Sequence, residues 1–148
     1  MIQTVLGHCT KQIARKYSVD LQVEFKNCKK TAFDAYVDKN GLRDPRILYG
    51  QKTLSLIFNY GFQEYPRARA IWPDYYGKGY TGWTGLWAAM LHEMAHAINM
   101  TDNFQKFRDG EIKPHGWEWK RIVIELQKEF PLDAFLQAVE YLTVKELQ

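Results

Sequence analysis

The chain has 148 residues, a length that fits one domain around one core. Its composition, 46% hydrophobic and 25% charged, is that of a soluble globular protein, and its longest apolar stretch, residues 86–91, is too short to span a bilayer. The formal charge of +3 gathers at the N-terminus, where Lys11, Arg15, Lys16, Lys26, Lys29 and Lys30 outnumber Asp20 and Glu24 within residues 1–30. A basic end of that kind can attract polyanions, so DNA contact stands as an expectation beside the commoner solvated face.

Two cysteines, Cys9 and Cys28, are too few for a disulfide scaffold or a four-cysteine zinc site, and are expected as reduced thiols. Residues 1–5 lack a basic n-region and Lys11 interrupts the first apolar stretch, so no secretory signal is read. The expectation is a soluble, cytoplasmic protein with no membrane partner.

Residues 2–17 place Val5, Leu6, Ile13, Ala14 and Tyr17 at helical spacing, which predicts a first helix. Val19, Leu21, Val23 and Phe25 alternate with polar residues, the period of a half-buried strand. Residues 32–37 and 46–49 are further strand candidates, with Asn40-Gly41 as a turn signal between them. Residues 53–60, with Leu54, Leu56, Ile57 and Phe58, are read as another strand. Residues 61–83 are irregular and rich in glycine and aromatics, with a helical turn around 65–71. Thr84 can cap the next helix, which runs to about Met100 and is apolar nearly all round, as a helix in the middle of a fold is. A loop over 101–114 follows, then a helix from about Gly116 to Phe130 and a last one from Leu132 to about Glu146, separated by Pro131. Strands first and helices later predict an α+β domain spanning 1–148: a small, mainly antiparallel sheet packed on helices.

Three strongly polar residues interrupt the apolar helix: His92, Glu93 and His96, in the order H-E-M-A-H. Residues four apart share a helix face, about one 5.4 Å pitch apart. Two imidazoles so placed can bind one zinc ion through ring nitrogens. Glu93 is angled off that face, from where its carboxylate can reach a water at the metal rather than the metal itself, as a general base must. Burying two histidines and a glutamate without partners would cost several kcal/mol, which argues against a purely structural role.

A catalytic zinc takes three protein ligands and leaves one position open. The metzincin continuation H-E-x-x-H-x-x-G-x-x-H fails here, because Asn99 and Asp102 stand at its Gly and His positions. Glu111, Glu118, Glu125 and His115 remain as third ligands. His115 is favoured: it follows a loop long enough to turn the chain back, and Gly116 beside it permits a close approach. His8 is read as a surface or helix-end residue.

The segment Lys113-Pro114-His115-Gly116-Trp117-Glu118-Trp119-Lys120 resembles the P-H-G-x-x-W-K segment of SprT-like (Spartan-related) zinc metallopeptidases, in which it follows an HExxH helix. The resemblance covers about residues 83–126 and extends upstream only in the order of elements. It implies a zincin-like metallopeptidase fold, with His92, His96 and His115 as zinc ligands and Glu93 as catalytic acid and base. It implies hydrolysis of a protein or peptide substrate, proteins associated with DNA among them. No cysteine follows Cys28, so the C-terminal four-cysteine zinc ribbon of many SprT-like proteins has no counterpart here. The alternative is a catalytically silent, zinc-containing binding or adaptor protein on a peptidase fold. Retention of Glu93 speaks against it, since a structural site needs no such carboxylate.

Lesser expectations complete the reading. Tyr75, Tyr76 and Tyr80 are candidate donors to the tetrahedral oxyanion. By analogy with zincins, the strand over 53–60 is the edge to which an extended substrate would pair. Asn99 either orients a ligand or caps its helix. Trp117 and Trp119 pack the third-ligand helix against the HExxH helix, and Glu118 either bonds a ligand histidine or faces solvent. Residues 72–83 read as a covering or structural loop rather than a base-stacking platform, since Lys78 is their one basic residue.

Overall fold

A computed structural model of the chain describes residues 1–38, 40–74 and 79–148. In chain order these form helix α1 (Ile2–Lys16), strands β1 (Gln22–Lys26), β2 (Ala32–Asp38) and β3 (Gly41–Gly50), and helix α2 (Gln51–Tyr60). A 3-10 helix, Pro66–Ile71, then leads to α3 (Gly82–Asp102), α4 (Phe104–Arg108), α5 (Trp117–Glu129) and α6 (Leu132–Leu147). The α+β class follows from this order.

The sheet has three strands in the order β1-β3-β2 and is mixed. β2 and β3 form an antiparallel hairpin in which Gly41, at φ 125°, takes a conformation closed to most side chains. β1 pairs parallel to β3, from Gln22 opposite Arg46 to Lys26 opposite Gly50. The sheet is therefore not mainly antiparallel. Arg46 on the central strand explains part of the arrangement: its guanidinium lies 2.8 Å from Asp34 of β2 and 3.7 Å from Glu24 of β1, joining both outer strands. On the other face Phe25 stacks on Tyr49 at 5.3 Å between centroids, against the core.

Residues 53–60 are not a strand but the body of α2. Leu54, Ile57 and Phe58 stand at the i, i+3, i+4 spacing of one helix face, and Leu54 and Ile57 are buried in the core. Leu56, which a strand would have shared with the core, is 50% exposed. Gly61, at φ 110°, ends the helix. The loop expected over 101–114 is also shorter than read: α3 continues to Asp102 and α4 occupies Phe104–Arg108. Thr84 lies inside α3, whose N-cap is Thr81, with no side-chain capping bond.

Helix α3 runs through the middle of the molecule. It packs against α1, α2, α5, α6 and the sheet, and its buried residues run nearly unbroken from Gly85 to Asn99. Each fully buried Leu or Met on it stabilises the fold by about 1.5–3 kcal/mol, enough to hold a polar triplet within it. Gly85 is required by close packing: a Cβ there would come within 2.4 Å of the Tyr80 carbonyl oxygen. The indole N–H of Trp87 donates to the Phe130 carbonyl at 2.8 Å, fastening α3 to the end of α5. Among the described residues no helix is long and apolar enough to cross a membrane.

Candidate metal centre

His92 and His96 lie one turn apart on α3, and the turn before α5 brings His115 over them. The three Nε2 atoms converge: 3.2 Å between His96 and His92, 3.0 Å between His96 and His115, and 3.4 Å between His115 and His92. Two nitrogens bound at about 2.0–2.1 Å to one tetrahedral ion stand roughly 3.4 Å apart. The triangle is close to that spacing, and these three histidines could hold a metal ion.

The protonation states agree with this donor set. Burial and the charges of His92 and His115 push His96 down to about 2, and burial with the His92 charge lowers His115. Both rings are therefore neutral near pH 7, as ligands must be. A buried carboxylate fixes His92. The Glu64 Oε2 atom lies 3.0 Å from His92 Nδ1, so Nδ1 carries the proton and Nε2 presents its lone pair to the other histidines.

Glu64 was not identified from the sequence. It is 2% exposed and also accepts the Trp72 indole N–H at 2.9 Å and the Tyr65 backbone N–H at 2.9 Å. Burial pulls its carboxyl upward, but the His92 bond and charge, the Trp72 bond and the Tyr65 amide outweigh it and hold Glu64 below the usual carboxylate range. It stands 28 positions before His92, so no local motif joins them. The one available signal was a lone acid in an aromatic stretch.

Glu93 is buried beside the triangle, its Oε1 4.0 Å from His92 Nε2. Burial pushes its carboxyl up to about 7, against the lowering effect of the His92 charge and the Phe33 backbone N–H. The floor is Trp119. Its fully buried ring lies 4.8, 5.3 and 4.9 Å from the rings of His92, His96 and His115, and its N–H donates to the His92 carbonyl at 3.2 Å. The roof is Tyr65, 55% exposed, whose ring sits 4.2 Å from that of His115. A cleft of about 340 Å³ opens over His92, Glu93 and His96 and reaches Phe33 of β2.

No family model, curated protein or solved structure matches the chain.

Other expected residues fall elsewhere. Tyr80 donates its hydroxyl to the Pro73 carbonyl and lines a separate cavity of about 520 Å³ with Trp87 and Gln127, which does not reach the histidines. Tyr75 and Tyr76 lie outside the described residues. Trp117 is 74% exposed and does not pack on α3, because α5 turns positions 117 and 119 to opposite sides. Asn99 bonds Asn103 at 2.8 Å rather than a ligand. Glu111 and Glu125 are exposed, and Glu118 makes no hydrogen bond to a histidine. His8 is exposed on α1.

Proposed function

We infer that this protein is a zinc-dependent endopeptidase of the SprT-like, zincin-like kind, with His92, His96 and His115 as ligands and Glu93 as general base. The observation that carries the reading is the convergence of three imidazole Nε2 atoms beside a buried carboxylate, Glu93, in an open cleft. Zinc suits a three-histidine set with an open position, and when bound it supplies Lewis acidity toward water and the scissile carbonyl.

The chain's own residues supply the rest. Glu93, poised near neutrality, takes the proton of the attacking water and passes it to the leaving amine. Glu64 keeps the His92 proton on Nδ1 and holds the ring in place. Among the described residues, Tyr65 is the tyrosine that lines the site, and its phenol takes the oxyanion-donor role first assigned to the later tyrosines. The substrate edge moves too: an extended peptide would pair along the outer side of β2, whose Phe33 borders the cleft.

Metal dependence is the first test. Cleavage of an unfolded protein should stop when a chelator strips the chain and return with one equivalent of zinc. Cleavage that survives complete removal of metal would contradict the reading. A zinc-loaded chain that cleaves no peptide in an unbiased mixture would instead favour the silent binding protein.

A further inference from the structure

A second recess opens on the outer side of His115. It has a volume of about 550 Å³, within the range of small-ligand sites, and runs between the 3-10 helix and the turn before α5. Tyr65 and His115 separate it from the cleft over Glu93, since both line the two recesses. Its charged lining is of one sign: Arg67 from the 3-10 helix, Lys113 from the turn and Lys120 from α5. None of the three cations makes a salt bridge or side-chain hydrogen bond with any described residue. Glu118 has its Oε2 close to Gly116 but is not part of the lining and pairs with none of them.

Unpaired lysines and arginines occur elsewhere on the surface, but among the described residues this recess gathers three, where the cavity beside Tyr80 has Lys128 alone and the cleft over Glu93 has none. Some other cations are paired. Lys16 pairs with Glu129, Lys26 with Glu24, Arg46 with Glu24 and Asp34, and Arg108 with Asp109. Three unpaired cations around one concavity focus a positive potential where a bound chain would leave the metal centre.

We propose that this recess is a substrate subsite for an acidic side chain, so that peptides carrying Asp or Glu next to the bond at the histidine centre are preferred. Arg67 offers a planar fork to a carboxylate, and Lys113 and Lys120 add point charges to the same lining. Pro66 and Pro114 restrict the backbone at the two walls, so the recess exists before ligand arrives. A peptide is favoured over a nucleic-acid backbone because the recess shares Tyr65, Pro114 and His115 with the cleft over Glu93, so a chain lying in one continues into the other. The proposal deepens the peptidase reading and rests on it for the word substrate, but its test does not.

The test uses Glu93→Gln protein, so that binding is read apart from any cleavage, and fluorescence anisotropy. The probes are a labelled glutamate-containing peptide, its glutamine counterpart and its lysine counterpart. The glutamate peptide should bind about tenfold more tightly than the glutamine one at low salt, with the difference shrinking as salt rises. The lysine peptide should bind more weakly still. Arg67→Glu with Lys113→Glu, both at exposed positions, should abolish the preference, and the milder Arg67→Gln with Lys113→Gln should reduce it. Equal binding of the glutamate and glutamine peptides would overturn the proposal. So would a preference that the charge variants leave unchanged, or a single-stranded oligonucleotide of equal charge that displaces the peptide and loses affinity on the same variants. Cleavage by the parent chain is a separate readout: a peptide bound in the recess but never cut would contradict the peptidase reading and leave the subsite standing.

Discussion

The Glu64 carboxylate and the His92 imidazole are bonded at 3.0 Å inside the protein, and this contact decides which nitrogen of His92 faces the other two histidines. It gives a prediction. Glu64→Gln keeps the shape but presents either an amide donor or a weaker acceptor to Nδ1. Metal affinity should fall about 10–100-fold, the usual effect of losing such an outer partner. Competition with a chromogenic chelator measures it. Glu64→Ala should also destabilise the fold by about 3–5 kcal/mol, because buried N–H groups of His92, Trp72 and Tyr65 lose their acceptor.

Metal loading should be visible as stability. A ligand that binds the folded state alone, at a thousandfold excess over its dissociation constant, adds about 4 kcal/mol. Chelation should lower the melting temperature of the parent chain and have no effect on His115→Ala. Elemental analysis should find the metal lost in His115→Ala and kept in His8→Ala, since His8 is exposed on α1.

Burial of Glu93 sets the pH response of the metal-free chain. Its folded value, about 7, lies above the ordinary carboxylate value of 4.5. The folded state therefore holds this proton more tightly than the unfolded state. Stability from Glu93 is intact below about pH 4.5 and is lost as pH rises through 7. The loss is on the order of 3 kcal/mol. In metal-free protein Glu93→Gln should therefore raise the melting temperature at pH 8 and leave it little changed at pH 4. Equal effects at the two values would contradict the assignment of burial as the cause.

Trp117 and Trp119 separate packing from sequence resemblance. Trp119→Ala removes the floor under three imidazoles and should cost about 3–5 kcal/mol in thermal or denaturant unfolding. Trp117, 74% exposed, should tolerate alanine within about 0.5 kcal/mol.

What the sequence revealed depends on range. His92, Glu93 and His96 were legible because one helix turn joins them and the apolar residues around them leave little other reason for their presence. His115 was legible through its neighbours, and the structure brings it to the other two. The α+β class followed from the order of elements, whereas the parallel pairing of β1 with β3 joins distant residues and had no local signature. Residues 53–60 misled because Thr53, Ile57, Phe58 and Tyr60 are strand-favouring in composition, while the buried pair Leu54 and Ile57 follows helical spacing. Glu64 and Tyr65 were missed for the same reason as the sheet order: only the folded chain brings them to the histidines.

The most direct test of the central claim compares the parent and Glu93→Gln, each first shown to hold one zinc per chain, on an unfolded protein with fragments read by mass spectrometry. Time-dependent fragments should appear with the parent and none above background with Glu93→Gln. Equal rates of cleavage by the two would contradict that claim.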